Sequence, residues 1–91
     1  MSDYNLKVGY YQTGLEYQVY RVTAQIPGEC NSIFFRNQGT TVCTIDNAVV
    51  LQPSQAYDIS GNAGEILIRT FQATFSGAGT NELVVISKVY L

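Results

Sequence analysis

The sequence predicts an all-β domain, a single antiparallel β-sandwich of about eight short strands, jelly-roll or immunoglobulin-like. Three observations lead there. Turn residues recur about every eight to twelve positions, and the runs between them are short and rich in β-branched and aromatic residues. No window carries an apolar stripe at helical spacing. The connections are too short for crossover helices, which favours antiparallel neighbours. Ninety-one residues hold one hydrophobic core and no second domain. The expected organisation is one sandwich over residues 1–91, with 1–14 an N-terminal assembly arm.

The elements follow in order. Residues 4–8 form a first strand with Tyr4, Leu6 and Val8 on one face, and residues 12–14 turn the chain. A long strand over 15–26 changes phase: Leu15, Tyr17 and Val19 alternate with polar residues, and then Tyr20, Val22, Ala24 and Ile26 take over. A one-residue slip of this kind predicts a β-bulge. Pro27-Gly28 breaks the chain before a strand at 32–36, which Asn37-Gln38-Gly39 turns into a paired strand at 41–45. Asp46-Asn47 is a two-residue hairpin loop, because both residues tolerate φ > 0, and 48–51 completes that hairpin. Gln52-Pro53-Ser54 turns into a short strand at 56–59, and residues 61–64 are the strongest break. Beyond it, 66–69 continues into 71–75, and residues 77–81 close a final hairpin into 83–90. Leu83-Val84-Val85-Ile86 is apolar on both faces, which calls for a central strand or a covered edge.

Composition narrows the function. Only 13% of residues are charged, about half the usual share, while 46% are hydrophobic. Burial on folding contributes about 140 kcal/mol at ~25 cal/mol per Å². Ordering the chain costs nearly the same, at about 1.5 kcal/mol per residue. A domain so balanced gains much from a partner subunit. The five cations (Lys7, Arg21, Arg36, Arg69 and Lys88) are scattered and the net charge is −2, which argues against nucleic acid, whose phosphates need clustered Lys and Arg. No cationic start with an apolar run opens the chain, and no stretch reaches transmembrane length. The expectation is a chain made in a cytoplasm, staying soluble, with no membrane partner.

The absence of histidine removes Ser-His-Asp and Cys-His catalysis and most zinc sites. The dispersed acids suggest no two-carboxylate cleft, so no catalytic residue, cofactor or metal is assigned and no enzyme is expected. Asp58-Ile59-Ser60-Gly61-Asn62 spaces oxygen side chains like the opening of a calcium loop. Ala63 stands where that loop needs glycine, and Arg69 where it needs a closing Glu. An Asx/Gly turn after a strand explains the same residues. Gly77-Ala78-Gly79-Thr80 lacks the lysine and the following helix of a phosphate loop, and reads as a turn. Cys30 and Cys43 are expected to be reduced, Cys43 in the core and Cys30 in a loop, because the hairpin expected over 32–45 keeps them apart.

Five of the seven tyrosines fall in the first twenty residues. They serve either as buried rings with wetted hydroxyls or as contact anchors. The interface candidates are therefore Tyr4, Tyr10, Tyr11, Tyr17 and Tyr20, with Leu83 and Val85 from the apolar last strand. Aromatic faces also suit a soluble carbohydrate-binding, lectin-like module, which the lack of tryptophan weakens.

The run Phe34-Phe35-Arg36-Asn37-Gln38-Gly39, then Leu51-Gln52-Pro53-Ser54-Gln55 to Ile59 and Gly61-Asn62-Ala63-Gly64-Glu65, with the ending Asn81-Glu82-Leu83-Val84-Val85-Ile86, resembles small β-sandwich proteins of tailed-phage virions. These are capsid decoration or auxiliary proteins and related head or tail accessory domains. The resemblance covers roughly residues 33 to 91, and Ser54 stands where such a turn more commonly has glycine. It implies a non-enzymatic subunit of a virion, made in the host cytoplasm, that associates with itself, often as a trimer, and with a capsid or tail protein. Because the segment 58–65 departs from metal-loop spacing at two positions, the melting temperature should be the same with and without EDTA. A fall of several degrees on chelation would restore the calcium reading.

Overall fold

The computed structural model describes residues 12–91. Eight strands are present among them: β1 (Thr13–Tyr20), β2 (Ala24–Pro27), β3 (Ser32–Asn37), β4 (Val42–Ile45), β5 (Val49–Leu51), β6 (Ala56–Ile59), β7 (Thr70–Ser76) and β8 (Leu83–Tyr90). They form two four-stranded sheets, β1-β8-β3-β6 and β2-β7-β4-β5, and every pairing is antiparallel. First pairs with last, second with seventh, third with sixth and fourth with fifth. The chain is one long hairpin folded over on itself, and the further pairings β3–β8 and β4–β7 close each sheet. This is the strand order of a jelly roll.

That order reassigns several local pairings. The phase change in residues 15–26 is a corner and not a bulge: β1 ends at Tyr20, residues 21–23 cross between layers, and β2 begins in the other sheet. Even-numbered residues face the core on both sides of the corner, so the apolar pattern shifts because β1 turns its apolar residues outward while β2 turns Ala24 and Ile26 inward. β3 and β4 are not hairpin partners, nor are β7 and β8. Their connections arch from one sheet to the other. The segment 66–69 forms no strand, and only Leu67 makes a bridge, to Cys30. The expected strand at 4–8 lies outside the described residues, as do residues 1–11 of the expected arm. Thr13 and Gly14 belong to β1.

The one adjacent-strand hairpin inside a sheet, β4–β5, sits at the fold's tip. Asp46 and Asn47 both have φ 55°, as the turn requires. The Ala48 N–H donates to the Ile45 carbonyl at 3.0 Å, so Ala48 belongs to the turn and β5 starts one residue later than expected. The Asp46 carboxylate accepts from the Gln72 N–H at 2.8 Å and from the Arg69 guanidinium at 2.8 Å, fastening the turn to β7. Those donors hold its pKa below the ordinary value, the Gln72 N–H first and the Arg69 hydrogen bond next. Ser54 has φ 73°, the left-handed conformation that explains why glycine is the commoner residue in such a turn.

Between the sheets, Phe35 of β3 packs edge-on to Phe71 of β7 (centroids 5.1 Å) and stacks with Tyr57 of β6 (6.3 Å). Ile33, Leu83 and Val85 fill the same core from one sheet, and Ile26, Cys43, Ile45 and Ala73 from the other. Asn37, expected in a turn, is fully buried at the end of β3. Its Nδ2 donates to the Thr41 and Leu51 carbonyls (2.7 and 2.9 Å), and its Oδ1 accepts from the Gly39 N–H (3.0 Å). The side chain thereby ties one sheet to the margin of the other. Gly39 is required beside it, because a Cβ there would run into the Thr80 backbone.

Replacing Asn37 with alanine takes the side-chain donor from two interior carbonyls, those of Thr41 and Leu51, at about 1–3 kcal/mol each before relaxation, while the Gly39 N–H keeps the Glu82 carbonyl at 3.1 Å. Urea unfolding should show a loss of more than about 2 kcal/mol. A loss below about 0.5 kcal/mol would mean that water replaces the clamp.

Candidate interaction surface

Directly paired residues in a sheet share a face. In β1-β8-β3-β6, Phe35 pairs with Val85 and Tyr57, and all three point into the sandwich. The neighbouring row therefore points out: Tyr17 pairs with Ile86, Ile86 with Phe34, and Phe34 with Asp58. On either side, Leu15 pairs with Lys88 and Val19 with Val84. The outer face of this sheet is thus largely apolar, a surface that an antiparallel sheet ordinarily gives to polar residues.

Strand β1 inverts the expected logic of amphipathic strands. Its apolar alternates are the outward ones, and they are well exposed: Leu15 57%, Tyr17 63% and Val19 44%. Its core-side positions carry Glu16 and Gln18, also exposed. The partly covered Phe34, Val84 and Ile86 continue the apolar surface inward. A shallow groove of about 430 Å³ crosses it, walled by Leu15, Phe34 and Ile86 and rimmed by Asp58, Ser60 and Lys88. The other sheet is different on its outer side. There Gln25 pairs with Gln72, and Thr74 with Thr44, with Val42 and Val50 as apolar exceptions.

The interface candidates separate accordingly. Tyr17 stands at the middle of the exposed row. Tyr20 is half-buried against the core. Leu83 and Val85 are core residues, 0% and 2% exposed, so they are no contact anchors. The same strand presents Val84 and Ile86 outward instead. Tyr4, Tyr10 and Tyr11 lie outside the described residues. The sequence points to the regions 4–20 and 83–86, which hold Leu15, Val19 and Ile86, without singling those residues out, and it does not point to Phe34 as a surface residue. The signal was available in the two strands apolar on both sides, Ile33-Phe34-Phe35 and Leu83-Val84-Val85-Ile86.

The end of the segment with calcium-like spacing, residues 62–65, is held by hydrogen bonds within the protein. Asn31 Nδ2 donates to the Asn62 and Glu65 carbonyls, the Tyr90 hydroxyl donates to the Glu65 carbonyl, and the Gly64 N–H donates to the Tyr90 oxygen. Glu65 turns its carboxylate onto the Asn62 N–H at 2.7 Å. Among the described residues, no group of three His, Cys, Asp or Glu comes together as metal ligands, and no helix is long and apolar enough to cross a membrane. Comparison with protein-family models, curated proteins and solved structures finds no match for this chain.

Cys30 and Cys43 are both free thiols and both buried; Cys30 lies in the connection between β2 and β3, as expected, but is packed into the core from there. Burial pushes the Cys43 thiol up to about 11, and burial followed by the Glu16 charge raises Cys30. Both should react with Ellman's reagent at pH 8 only as fast as the protein unfolds, since the thiolate is the nucleophile. Immediate labelling of either thiol would show that its cover opens locally.

Proposed function

We propose that this protein is a non-enzymatic structural subunit that works by assembly, associating with copies of itself and attaching to a larger protein surface. The observation that carries the reading is the outward apolar face built on Leu15, Tyr17 and Val19 and continued by Ile86 and Phe34. Exposed apolar surface arranged in register on a rigid sheet favours a flat protein partner over a small ligand. Each such side chain that a partner covers fully contributes about 1.5–3 kcal/mol. The jelly-roll order is compatible with this role, being shared by capsid and lectin domains. The virion setting, with a capsid or tail protein as the larger surface, is supported by the resemblance of residues 33–91 to phage accessory proteins.

Tyr17→Glu tests the reading. Light scattering from micromolar to submillimolar concentration should give a mass above 10.0 kDa that rises with concentration. The variant should stay near monomer mass while its unfolding free energy changes by about 0.5 kcal/mol or less, as for an exposed residue. A constant 10.0 kDa species at every concentration would end the self-assembly reading.

A further inference from the structure

Two sheets have four edge strands, and three of them are poor templates for another chain. β5 has three residues, β6 has four, and β2 has four and ends in Pro27. Short strands and proline are the ordinary protections of a sheet edge. β1 has neither. It runs for eight residues, Thr13–Tyr20, with no proline, no lysine and one charged residue, Glu16. Among the described residues no strand pairs with its far side.

The direction of its backbone groups follows from the ladder. The Leu91 N–H donates to the Gln12 carbonyl at 3.0 Å, so Gln12 and Leu91 form a hydrogen-bonded pair. In an antiparallel ladder such pairs alternate, so Gly14, Glu16, Gln18 and Tyr20 address β8. Thr13, Leu15, Tyr17 and Val19 therefore turn their N–H and C=O groups to the open edge. The residues with outward apolar side chains are the same ones that offer main-chain hydrogen bonds.

We infer that β1 pairs with β1 of a second copy, antiparallel, with Tyr17 on the two-fold axis. This rests on the assembly reading and names its contact. A two-fold interface must be self-complementary, and this register is. Tyr17 meets Tyr17, Leu15 lies opposite the second copy's Val19, Glu16 opposite Gln18, and Thr13 opposite Arg21. Apolar meets apolar, and no charge meets its like. A register centred on Glu16 would set two carboxylates against each other, and one centred on Gln18 would set Leu15 against Arg21. Shifts that place the axis between residues would turn one copy's apolar row to the other copy's polar face. The chosen register forms about six main-chain hydrogen bonds through Leu15, Tyr17 and Val19. It joins two four-stranded sheets into one of eight, with a single apolar face available for the larger partner.

Two variants test the contact while keeping Tyr17. Glu16 and the second copy's Gln18 form a non-hydrogen-bonded pair, with Cα atoms about 4.5 Å apart, within disulfide reach. An equal mixture of Glu16→Cys and Gln18→Cys chains should give a disulfide-linked dimer under mild oxidation. Glu16→Cys mixed with Gln72→Cys, on the opposite sheet, should not. Val19→Pro removes an N–H that β8 does not use, so the fold should hold by circular dichroism while the apparent dissociation constant rises about tenfold or more. Efficient linkage by Gln18→Cys alone would overturn the Tyr17-centred register. A wild-type oligomer that neither cross-links nor responds to Val19→Pro would overturn edge pairing while leaving the assembly reading in place. In that case the apolar face, or residues 1–11, makes the contact. A monomer at all concentrations would overturn both.

Discussion

The structure depends on the register that links β1, β8 and β3. Because paired residues share a face, placing Phe35 and Val85 in the core leaves Phe34, Ile86 and Tyr17 no direction but outward. The sandwich core and the exposed apolar row are two sides of one constraint. A one-residue slip of β8 would exchange them, bringing Val84 and Ile86 inside and setting Leu83 and Val85 out. Either set is apolar, so hydrophobicity alone does not choose. What fixes the choice is the fit of Phe35 between Phe71 and Tyr57, together with the Asn37 clamp at the strand's end, where water could not easily replace the three side-chain hydrogen bonds.

The two sheets have divided their roles. β2-β7-β4-β5 turns Gln and Thr to solvent and ends in short, blunted edges. β1-β8-β3-β6 carries the apolar row and the one long edge. Both adhesive features meet on β1, the strand with the least support from the core. Its core-side Glu16 and Gln18 are themselves exposed, so the domain gains little internally from holding β1 apolar. Residues kept apolar where the fold does not need them are economical only if something outside the fold covers them.

Much of the local structure was legible in the sequence, and the long-range pairing was not. Turn chemistry located the Asp46-Asn47 hairpin, the break at Gly61 and strands such as 56–59 to within a residue or two, because those features depend on local φ preferences. Pairing depends on which strand returns where. The short loops at residues 38–41 and 77–82 look like hairpin turns, but a loop of that length spans two sheets about 10 Å apart as readily as it joins neighbours. The count of eight strands agrees partly by exchange, since the 15–26 run divides in two at its corner while 4–8 lies outside the described residues. For the interaction surface, alternation marked Leu15, Tyr17 and Val19 as a face without saying which. An apolar face is normally assigned to the core, and only the pairing with β8 shows these three on the outside. The burial of Cys30 was not legible because the residue lies between strands, bridged to Leu67 in another irregular segment, where no periodic signature marks a core position.

The nested order of pairing also has a consequence in time. Of the described strands the ribosome makes β1 first and β8 last, yet they are neighbours in the finished sheet. During synthesis the inner pairs can form as they emerge, β4 with β5 and then β3 with β6, but among the described strands β1 has no partner until β8 has been made. Chains grow at about 5–20 residues per second, so this strand spends seconds as an unpaired apolar segment beside other nascent copies on the same message. Among the described strands, the last pairing to close is therefore the one most open to competition between chains. A domain with this wiring meets its siblings before it has finished folding.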